Sequence, residues 1–218
     1  MNQLNTTSYS KSYFSNISWI LLGLSLIAFS DNLFYDVRQE SNSDPKFVIH
    51  GLFFLAWFII LVVQSNFIRK GDIRAHRKLG MIGMGIGLGV VLSTFYVFVA
   101  VFESWEAMPG FVKVNRIFTI SFTILLALAY WNRTKPGLHK RYLFVGTFYV
   151  LGPVIGRVGG KFLEESLLNI VLTEGIIWNA LFISLLIYDR KTLGKIHPIS
   201  GIGFVWFYIF WIYSVLAE

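Results

Sequence analysis

Long apolar segments separated by short hydrophilic connectors are the feature that most constrains how this chain folds. Seven segments approach the roughly 20 apolar residues that a membrane-spanning helix needs. Only 14% of the residues are charged, whereas soluble domains carry about 25%. The sequence therefore predicts an all-α integral membrane protein, a bundle of seven transmembrane helices forming a single transmembrane domain over 1–218. The predicted helices cover approximately 18–35, 47–68, 79–102, 117–131, 142–158, 169–188 and 199–216.

The distribution of charge predicts an orientation in the membrane. Basic residues gather in the connectors after the second, fourth and sixth segments, and such connectors are typically cytoplasmic. The other connectors are mainly acidic, through Asp36, Glu40, Asp44, Glu103, Glu106, Glu164 and Glu165. We expect a cytoplasmic N-terminus, an external C-terminus and a bacterial inner (plasma) membrane. The net charge of +7 is explained by this topology, so the lipid bilayer and not nucleic acid is the expected partner.

The three basic connectors resemble one another. They read "RKGDIRAHRKLG", "NRTKPGLHKRYLFVG" and "RKTLGKIHPISG", and each places a histidine near the start of the next apolar segment. His76, His139 and His197 are 63 and 58 residues apart. This spacing is consistent with a repeat of three helical hairpins. The alternative is that every inner turn needs basic residues and that histidine recurs without a repeat.

Glycine and proline predict how two of the helices pack. The third segment contains "GMIGMGIGLG", in which Gly83 and Gly87, and also Gly85 and Gly89, are four residues apart. Such spacing lets helix backbones approach closely in membranes. In the fifth segment Pro153 lacks a backbone N–H and should kink the helix.

Polar residues within the apolar segments are the first candidates for a functional site, because burying them in lipid is costly. His50, Trp57 and Gln64 are spaced by seven residues, and an ideal helix drifts only about 20° over that interval. They should therefore line one inward-facing stripe. That stripe could bind a small or lipid-soluble ligand, or it could be a hydrogen-bonded seam that joins helices.

Further ionisable residues lie near the external side of the predicted bundle, opposite the basic connectors. Arg116 and Arg157 are arginines on the side that the charge bias leaves poor in basic residues, and Glu174 is a candidate ion-pair partner for one of them. Snorkelling to the lipid head groups would also account for the two arginines.

The three connector histidines form the second candidate site. With Asp189 they offer ligand types for a metal, and three imidazoles with a water make a catalytic zinc site. Two imidazoles could instead hold a haem. However, no two of these histidines share a helix at ligand spacing, and Arg77, Lys140 and Arg141 beside them oppose metal binding. Histidines that cap turns or meet lipid phosphates, and a proton relay, remain alternatives.

Taken together, these motifs resemble a group of bacterial predicted inner-membrane proteins of unknown function. The resemblance covers the second to seventh segments and rests on "IHGLFFLAWFIILVVQ", "HRKLG", "HKRYLFVGTFYVLGPVIGR" and "HP". It implies that these positions act as a set, but it implies no activity.

Three classes of function therefore remain open. The protein could bind a small or lipid-soluble ligand through the polar seam, as a transporter or sensor. It could be a membrane-embedded zinc or haem protein that uses the connector histidines, or a structural or assembly factor. The chain contains no cysteine, which excludes disulfides, thiolate metal sites and thiol nucleophiles. Whether it is an enzyme is left open.

Overall fold

A computed structural model describes residues 3–35, 40–163 and 166–217, and within these ranges the backbone forms helices and turns without a strand. The prediction of an all-α fold is therefore confirmed. Asp36, Glu164 and Glu165, which contributed to the predicted orientation, lie outside the described residues. In chain order the helices are α1 (Gln3–Ala28), α2 (Glu40–Ser43), α3 (Pro45–Lys70), α4 (Ile73–Ala100), α5 (Gly110–Trp131), α6 (Pro136–Tyr149), α7 (Gly152–Phe162), α8 (Leu167–Leu193) and α9 (Pro198–Leu216), with a π-helical turn at Asp31–Tyr35.

Several helices extend into the basic connectors, beyond the apolar segments from which they were predicted. The predicted segment 79–102 is the C-terminal part of α4, which already begins at Ile73. It begins there because the carboxylate of Asp72 accepts a hydrogen bond from the Ala75 N–H at 2.9 Å, as capping side chains do. α6 likewise begins at Pro136, a residue suited to a first helical turn, and not at residue 142. His76 and His139 consequently lie in the first turns of their helices.

Within the described residues, five helices are long and apolar enough to cross a membrane: α3, α4, α5, α8 and α9. α6 and α7 meet the same criteria as a pair, but the two are bent by 49°, as in a broken span or a re-entrant loop. α1 is apolar over Ser12–Ala28, which is shorter than the other spans. The described part of the chain is thus an all-helical protein of the multi-pass membrane class. The count of seven spans, the orientation and the single domain over 1–218 stay predictions.

The chain divides into two compact units, residues 1–97 and 98–218. In the first unit α1 packs along α3, burying Tyr13, Phe14, Ile17 and Leu21. A hydrogen bond from Ser15 Oγ to Asn66 Oδ1, 3.2 Å long, links the two helices.

α3 and α4 of the first unit pack in an antiparallel pair through large side chains on α3 and glycines on α4. A β-carbon on Gly89 would overlap the ring of Phe53, and one on Gly83 would lie 3.2 Å from Ile60 Cγ1. Farther along, the side chain of Gln64 faces Gly80. Of the glycines expected to pack, Gly85 does not, because nothing lies within 4 Å of its position.

The second unit is built around aromatic rings contributed by α5, α6, α8 and α9. Phe207 lies at the centre, with ring centroids 4.7 Å from Trp178, 5.4 Å from Phe182 and 5.8 Å from Phe118. All four rings are buried. α9 approaches α6 closely at Gly203, where a β-carbon would lie 2.5 Å from Val145 Cγ1.

The predicted kink at Pro153 is confirmed by the break between α6 and α7. α6 ends at Tyr149 and α7 begins at Gly152, and the backbone between them is buried. A broken helix leaves carbonyl groups without their usual N–H partners. The Phe148 carbonyl here accepts a hydrogen bond from Trp178 Nε1 at 2.8 Å, so the break is stabilised from α8.

The three similar connectors share only part of their geometry. α3 and α8 both end at a glycine with left-handed backbone, Gly71 at φ 81° and Gly194 at φ 72°, which is a common helix terminator. α5 ends instead at Asn132 with φ −97°. Two connectors thus share a left-handed glycine at the helix end and the third does not, and the proposed repeat of hairpins stays a prediction.

Candidate functional site

The polar stripe predicted on the second apolar segment lies on α3, in the first unit. His50 Nδ1 lies 3.3 Å from Ser93 Oγ and 3.5 Å from Thr94 Oγ1, both on α4. Each hydroxyl donates its own proton to the Val90 carbonyl, so both oxygens face His50 as acceptors. The neutral tautomer with the proton on Nδ1 and an acceptor at Nε2 is the one that suits these two contacts.

Trp57 lies in the middle of the stripe and is 2% exposed. Around it, Phe53 and Ile60 contact the glycines of α4. Much of the seam between His50 and Gln64 is therefore occupied by apolar contacts between protein groups. These contacts in the middle of the stripe favour the interpretation that the stripe is a seam joining α3 and α4.

Gln64, at the end of the stripe, has an environment unlike that of His50. Both Oε1 and Nε2 of its carboxamide are buried, and neither has a hydrogen-bond partner among residues 3–35, 40–163 and 166–217. A carboxamide offers two donors and two acceptor lone pairs, and leaving such a group unsatisfied costs about 1–3 kcal/mol. Its neighbour on α4 is Gly80, where a β-carbon would lie 3.9 Å from Gln64 Nε2. The amide therefore faces a helix surface without a side chain.

The strongest polar contact of the second unit is a buried ion pair between Arg141 of α6 and Asp189 of α8. The two side chains are 2% and 0% exposed. Arg141 Nε donates to Asp189 Oδ1 at 2.9 Å, and Nη2 donates to the same oxygen. The remaining Nη1 donates to the Gly137 carbonyl at 2.6 Å. Asp189 Oδ2 accepts from the backbone N–H of His197 at 3.1 Å, so the carboxylate joins α6, α8 and the start of α9.

Lys140 and Tyr188 make a second contact beside this pair. Lys140 Nζ donates to Tyr188 Oη at 2.7 Å and lies 5.1 Å from the centroid of the same ring. Tyr188 is buried. Lys140 and Arg141, which the sequence pattern assigned to a surface connector, therefore lie in α6 and bind the last turns of α8.

The histidines of the second unit act on helix ends. His139 Nδ1 lies 2.8 Å from the Ala129 carbonyl near the end of α5, so Nδ1–H donates to it. His197 is the N-cap of α9, and its Nδ1 accepts from the Ile199 N–H at 3.2 Å. Burial lowers the pKa of His197, and the charges of Arg141 and Lys195 lower it further, whereas Asp189 opposes them. A neutral ring is the form that can accept this capping hydrogen bond.

The metal hypothesis gains no support from these positions. Among residues 3–35, 40–163 and 166–217, no group of three or more histidine, aspartate or glutamate side chains could hold a metal ion. Asp189 binds Arg141 and a backbone N–H. His76 is in the first turn of α4, in the first unit. The zinc or haem site that uses His76, His139, His197 and Asp189 stays a prediction.

The predicted external residues have separate surroundings. Arg116 Nη2 donates to the Phe98 carbonyl in the last turn of α4 at 2.9 Å, and the guanidinium carbon lies 4.6 Å from the ring of Phe98 and 5.4 Å from that of Phe102. Arg116 thus caps a helix end and does not pair with Glu174. Glu174 Oε2 accepts from Trp211 Nε1 at 3.0 Å. Arg157 is an exposed residue of α7, and its pairing with Glu174 stays a prediction.

Arg141 was not predicted as a member of a site, although it belongs to the "HKR" run. The signal in the sequence was Pro136, a residue suited to a first helical turn. α6 begins there, so Arg141 lies five residues into the helix and is buried, although the connector pattern assigns it to the surface. Ser93 and Thr94 were also missed, because hydroxyl residues in an apolar helix normally bond their own backbone.

The fold and these contacts define an all-helical protein of the multi-pass membrane class with a polar stripe in one unit and a buried ion pair in the other. No protein-family model matches the sequence, no curated protein matches it, and no solved structure matches the chain. Functional assignment therefore depends on the residues themselves.

Proposed function

We propose that this protein binds a small or lipid-soluble ligand through the Gln64 end of the α3–α4 seam. The observation that carries the proposal is the Gln64 carboxamide, whose oxygen and nitrogen are both buried and make no hydrogen bond to the part of the chain that the structure describes. Membrane helices normally satisfy such groups internally, because lipid cannot do so. A ligand with a hydroxyl, carbonyl or amide group would supply the missing partners.

Two neighbouring features favour a ligand at this end of the seam and not at the other. His50 already has two hydroxyl oxygens on α4 as neighbours. It is 14 residues from Gln64, or about 21 Å along a helix, so a small ligand would not reach both. At Gln64 the facing residue is Gly80, which is only half-buried. Approach from the lipid or from the adjacent connector requires no displacement of a side chain at Gly80.

The ligand class follows from the chemistry of the seam. The amide has no net charge, so it does not compensate an ionised group, and the flanking residues Ile60 and Leu61 are apolar. A neutral molecule with one polar end and an apolar body fits this environment better than a polar metabolite. Binding, and not catalysis, is the activity proposed, because an amide is neither a nucleophile nor a general base.

The test is extraction of small molecules from protein purified in mild detergent, followed by liquid chromatography and mass spectrometry. The wild-type protein should carry a compound that is absent from Gln64→Leu, which keeps side-chain size without polar atoms. It should also be absent from Gly80→Leu, which covers the amide. Far-UV circular dichroism and the melting temperature show that each variant is folded.

Ser65→Ala is the matched control, because the Ser65 hydroxyl donates to its own helix at the Val62 carbonyl. The compound should be retained in this variant. A compound that persists at the wild-type level in folded Gln64→Leu, or wild-type protein that carries nothing beyond detergent and bulk lipid, would refute the proposal. In that case the stripe is a seam that joins helices.

We further propose that the protein lies in a bacterial inner membrane with the basic connectors in the cytoplasm. The supporting observation is the charge bias, and the resemblance to bacterial inner-membrane proteins agrees with it. The chain has no cysteine, so single-cysteine variants at Thr134, Arg190 and Ala107 can be labelled directly. Thr134 and Arg190 should be protected from an impermeant maleimide in intact cells, whereas Ala107 should react. The opposite pattern would reverse the orientation.

A further inference from the structure

A groove on the outer face of α9 begins at its N-cap. It has a volume of about 410 Å³, within the range of about 300–1,000 Å³ found for ligand sites. Its lining is apolar apart from the histidine at its start and the indole of Trp206. The lining residues are Ile196, His197, Pro198, Gly201, Ile202, Val205, Trp206 and Ile209.

The length of the groove matches one leaflet of a bilayer. From His197 to Ile209 it follows α9 for 12 residues, or about 18 Å at 1.5 Å per residue. Half of a hydrocarbon core of about 30 Å is about 15 Å. A molecule that fills the groove from its N-cap end therefore extends about as far as an acyl chain reaches into the membrane.

The wall of the groove is held in place from within the second unit. Trp206 Nε1 donates to Ser121 Oγ of α5 at 3.1 Å, which fixes the indole as one side of the groove. Gly201 keeps the groove open, because a side chain there would project into it. A β-carbon on Gly201 would meet only Ile196 Cγ2, at 3.4 Å, so the backbone itself tolerates a larger residue.

The N-cap end of the groove lies beside a net positive charge. Nδ1 of His197 accepts the Ile199 N–H, so the imidazole is neutral and adds no charge of its own. Two positive charges, those of Lys195 and Arg141, and one negative charge, that of Asp189, act on this histidine. Arg141 and Asp189 neutralise each other as a buried pair, which leaves the exposed Lys195 as the net charge.

We infer that the α9 groove is a binding site for an anionic phospholipid, with an acyl chain along Gly201, Val205 and Trp206 and the head-group phosphate at the N-cap end, near Lys195. The apolar wall requires a chain, and the net positive end favours an anionic over a zwitterionic head group. The site is in the second unit and is independent of the ligand proposed at Gln64.

Quenching by brominated lipid measures occupancy of this groove. The full-length protein is reconstituted into vesicles of phosphatidylcholine and phosphatidylglycerol in which only one of the two lipids carries brominated chains. The Trp206 contribution is the difference between wild-type protein and Trp206→Phe, since the chain has seven tryptophans. One surface cation attracts an anionic lipid by about 1 kcal/mol. Brominated phosphatidylglycerol should therefore quench Trp206 as if enriched about fivefold over its bulk fraction.

Two variants separate the head-group contact from the chain contact. Lys195→Gln should bring the enrichment close to one, whereas Lys135→Gln, an exposed lysine of another connector, should leave it unchanged. Gly201→Leu fills the groove and should also abolish the enrichment. Gly85→Leu, at a glycine with open space around it, should retain it.

Quenching that follows the bulk lipid composition in wild-type protein would overturn the inference, and so would enrichment that survives Lys195→Gln. Lys195 is exposed and makes no hydrogen bond or ion pair with the described residues, so this variant tests the site even if Gly201→Leu fails to fold. None of these outcomes depends on whether a compound is found at Gln64.

Discussion

Removing the carboxylate of Asp189 should destabilise the second unit strongly, because it leaves the charge of Arg141 buried without compensation. Arg141 and Asp189 are 2% and 0% exposed. Breaking a buried pair by removing one partner typically costs about 3–5 kcal/mol. We expect Asp189→Ala to lower the free energy of unfolding by that amount.

The contacts of Asp189 support the upper part of this range. Its two oxygens accept hydrogen bonds from Nε and Nη2 of Arg141 and from the backbone N–H of His197. Asp189→Ala leaves all three donors unsatisfied. The remaining bond from Arg141 to the Gly137 carbonyl solvates the guanidinium but does not neutralise it. Asp189→Asn keeps one oxygen acceptor without the charge, and it should fall between wild type and Asp189→Ala.

The assay is equilibrium unfolding in mixed micelles with increasing mole fraction of a denaturing detergent, followed by far-UV circular dichroism. Lys46→Ala is the control, because the Lys46–Asp44 pair is partly exposed to solvent and surface pairs contribute little. The double variant Arg141→Met, Asp189→Leu should recover most of the loss, since replacing a buried pair by apolar residues is often neutral or stabilising. A loss for Asp189→Ala no larger than that for Lys46→Ala, or a double variant no more stable than the single one, would refute the reasoning.

Three further changes test the helix contacts of the second unit by the same unfolding assay. Gly203→Ala should cost about 1–3 kcal/mol through overpacking, because its β-carbon would lie 2.5 Å from Val145 Cγ1. The control Gly85→Ala, with open space around it, should be neutral or slightly stabilising. Equal effects of the two substitutions on stability would contradict the close approach of α9 to α6. Trp178→Phe removes the indole N–H that donates to the Phe148 carbonyl at the α6–α7 break, and it should lower the free energy of unfolding by about 1–3 kcal/mol. An unchanged stability would show that this hydrogen bond is dispensable. The pKa of His197 is lowered in the folded protein, so the unfolded chain binds more protons than the folded one as the pH falls below about 6.5. The free energy of unfolding should therefore decrease as the pH is lowered through that range, and it should decrease less steeply in His197→Asn. Identical pH profiles for the two proteins would count against the cap.

The helical class and most helix positions could be predicted from the sequence because lipid imposes long apolar segments and basic connectors. α3 and α8 illustrate this: each apolar run ends in basic residues and a glycine terminator, Gly71 or Gly194. The seven-residue spacing from His50 to Gln64 predicted a shared face of α3 by helix geometry alone. The kink at Pro153 followed from the missing N–H.

The contacts between helices could not be predicted in the same way. Arg141 and Asp189 are 48 residues apart in the sequence, and their pairing depends on the rotations of α6 and α8. The connector pattern indicated only that both residues are near a membrane surface. The histidines were expected at a common level, but whether they converge is decided by tertiary packing, and His139 and His197 instead bond backbone groups at helix ends.

The side-chain amide of Gln64 reports most directly on whether the seam binds a ligand. The chain contains three glutamines, so protein labelled with ¹⁵N only in glutamine side chains gives three pairs of amide resonances, and Gln64→Leu identifies the relevant pair. We predict that stripping the protein of co-purified small molecules shifts the Gln64 resonances and that returning the extracted compound restores them. Gln64 resonances that are the same before stripping, after stripping and after return of the extract would contradict ligand binding at this seam.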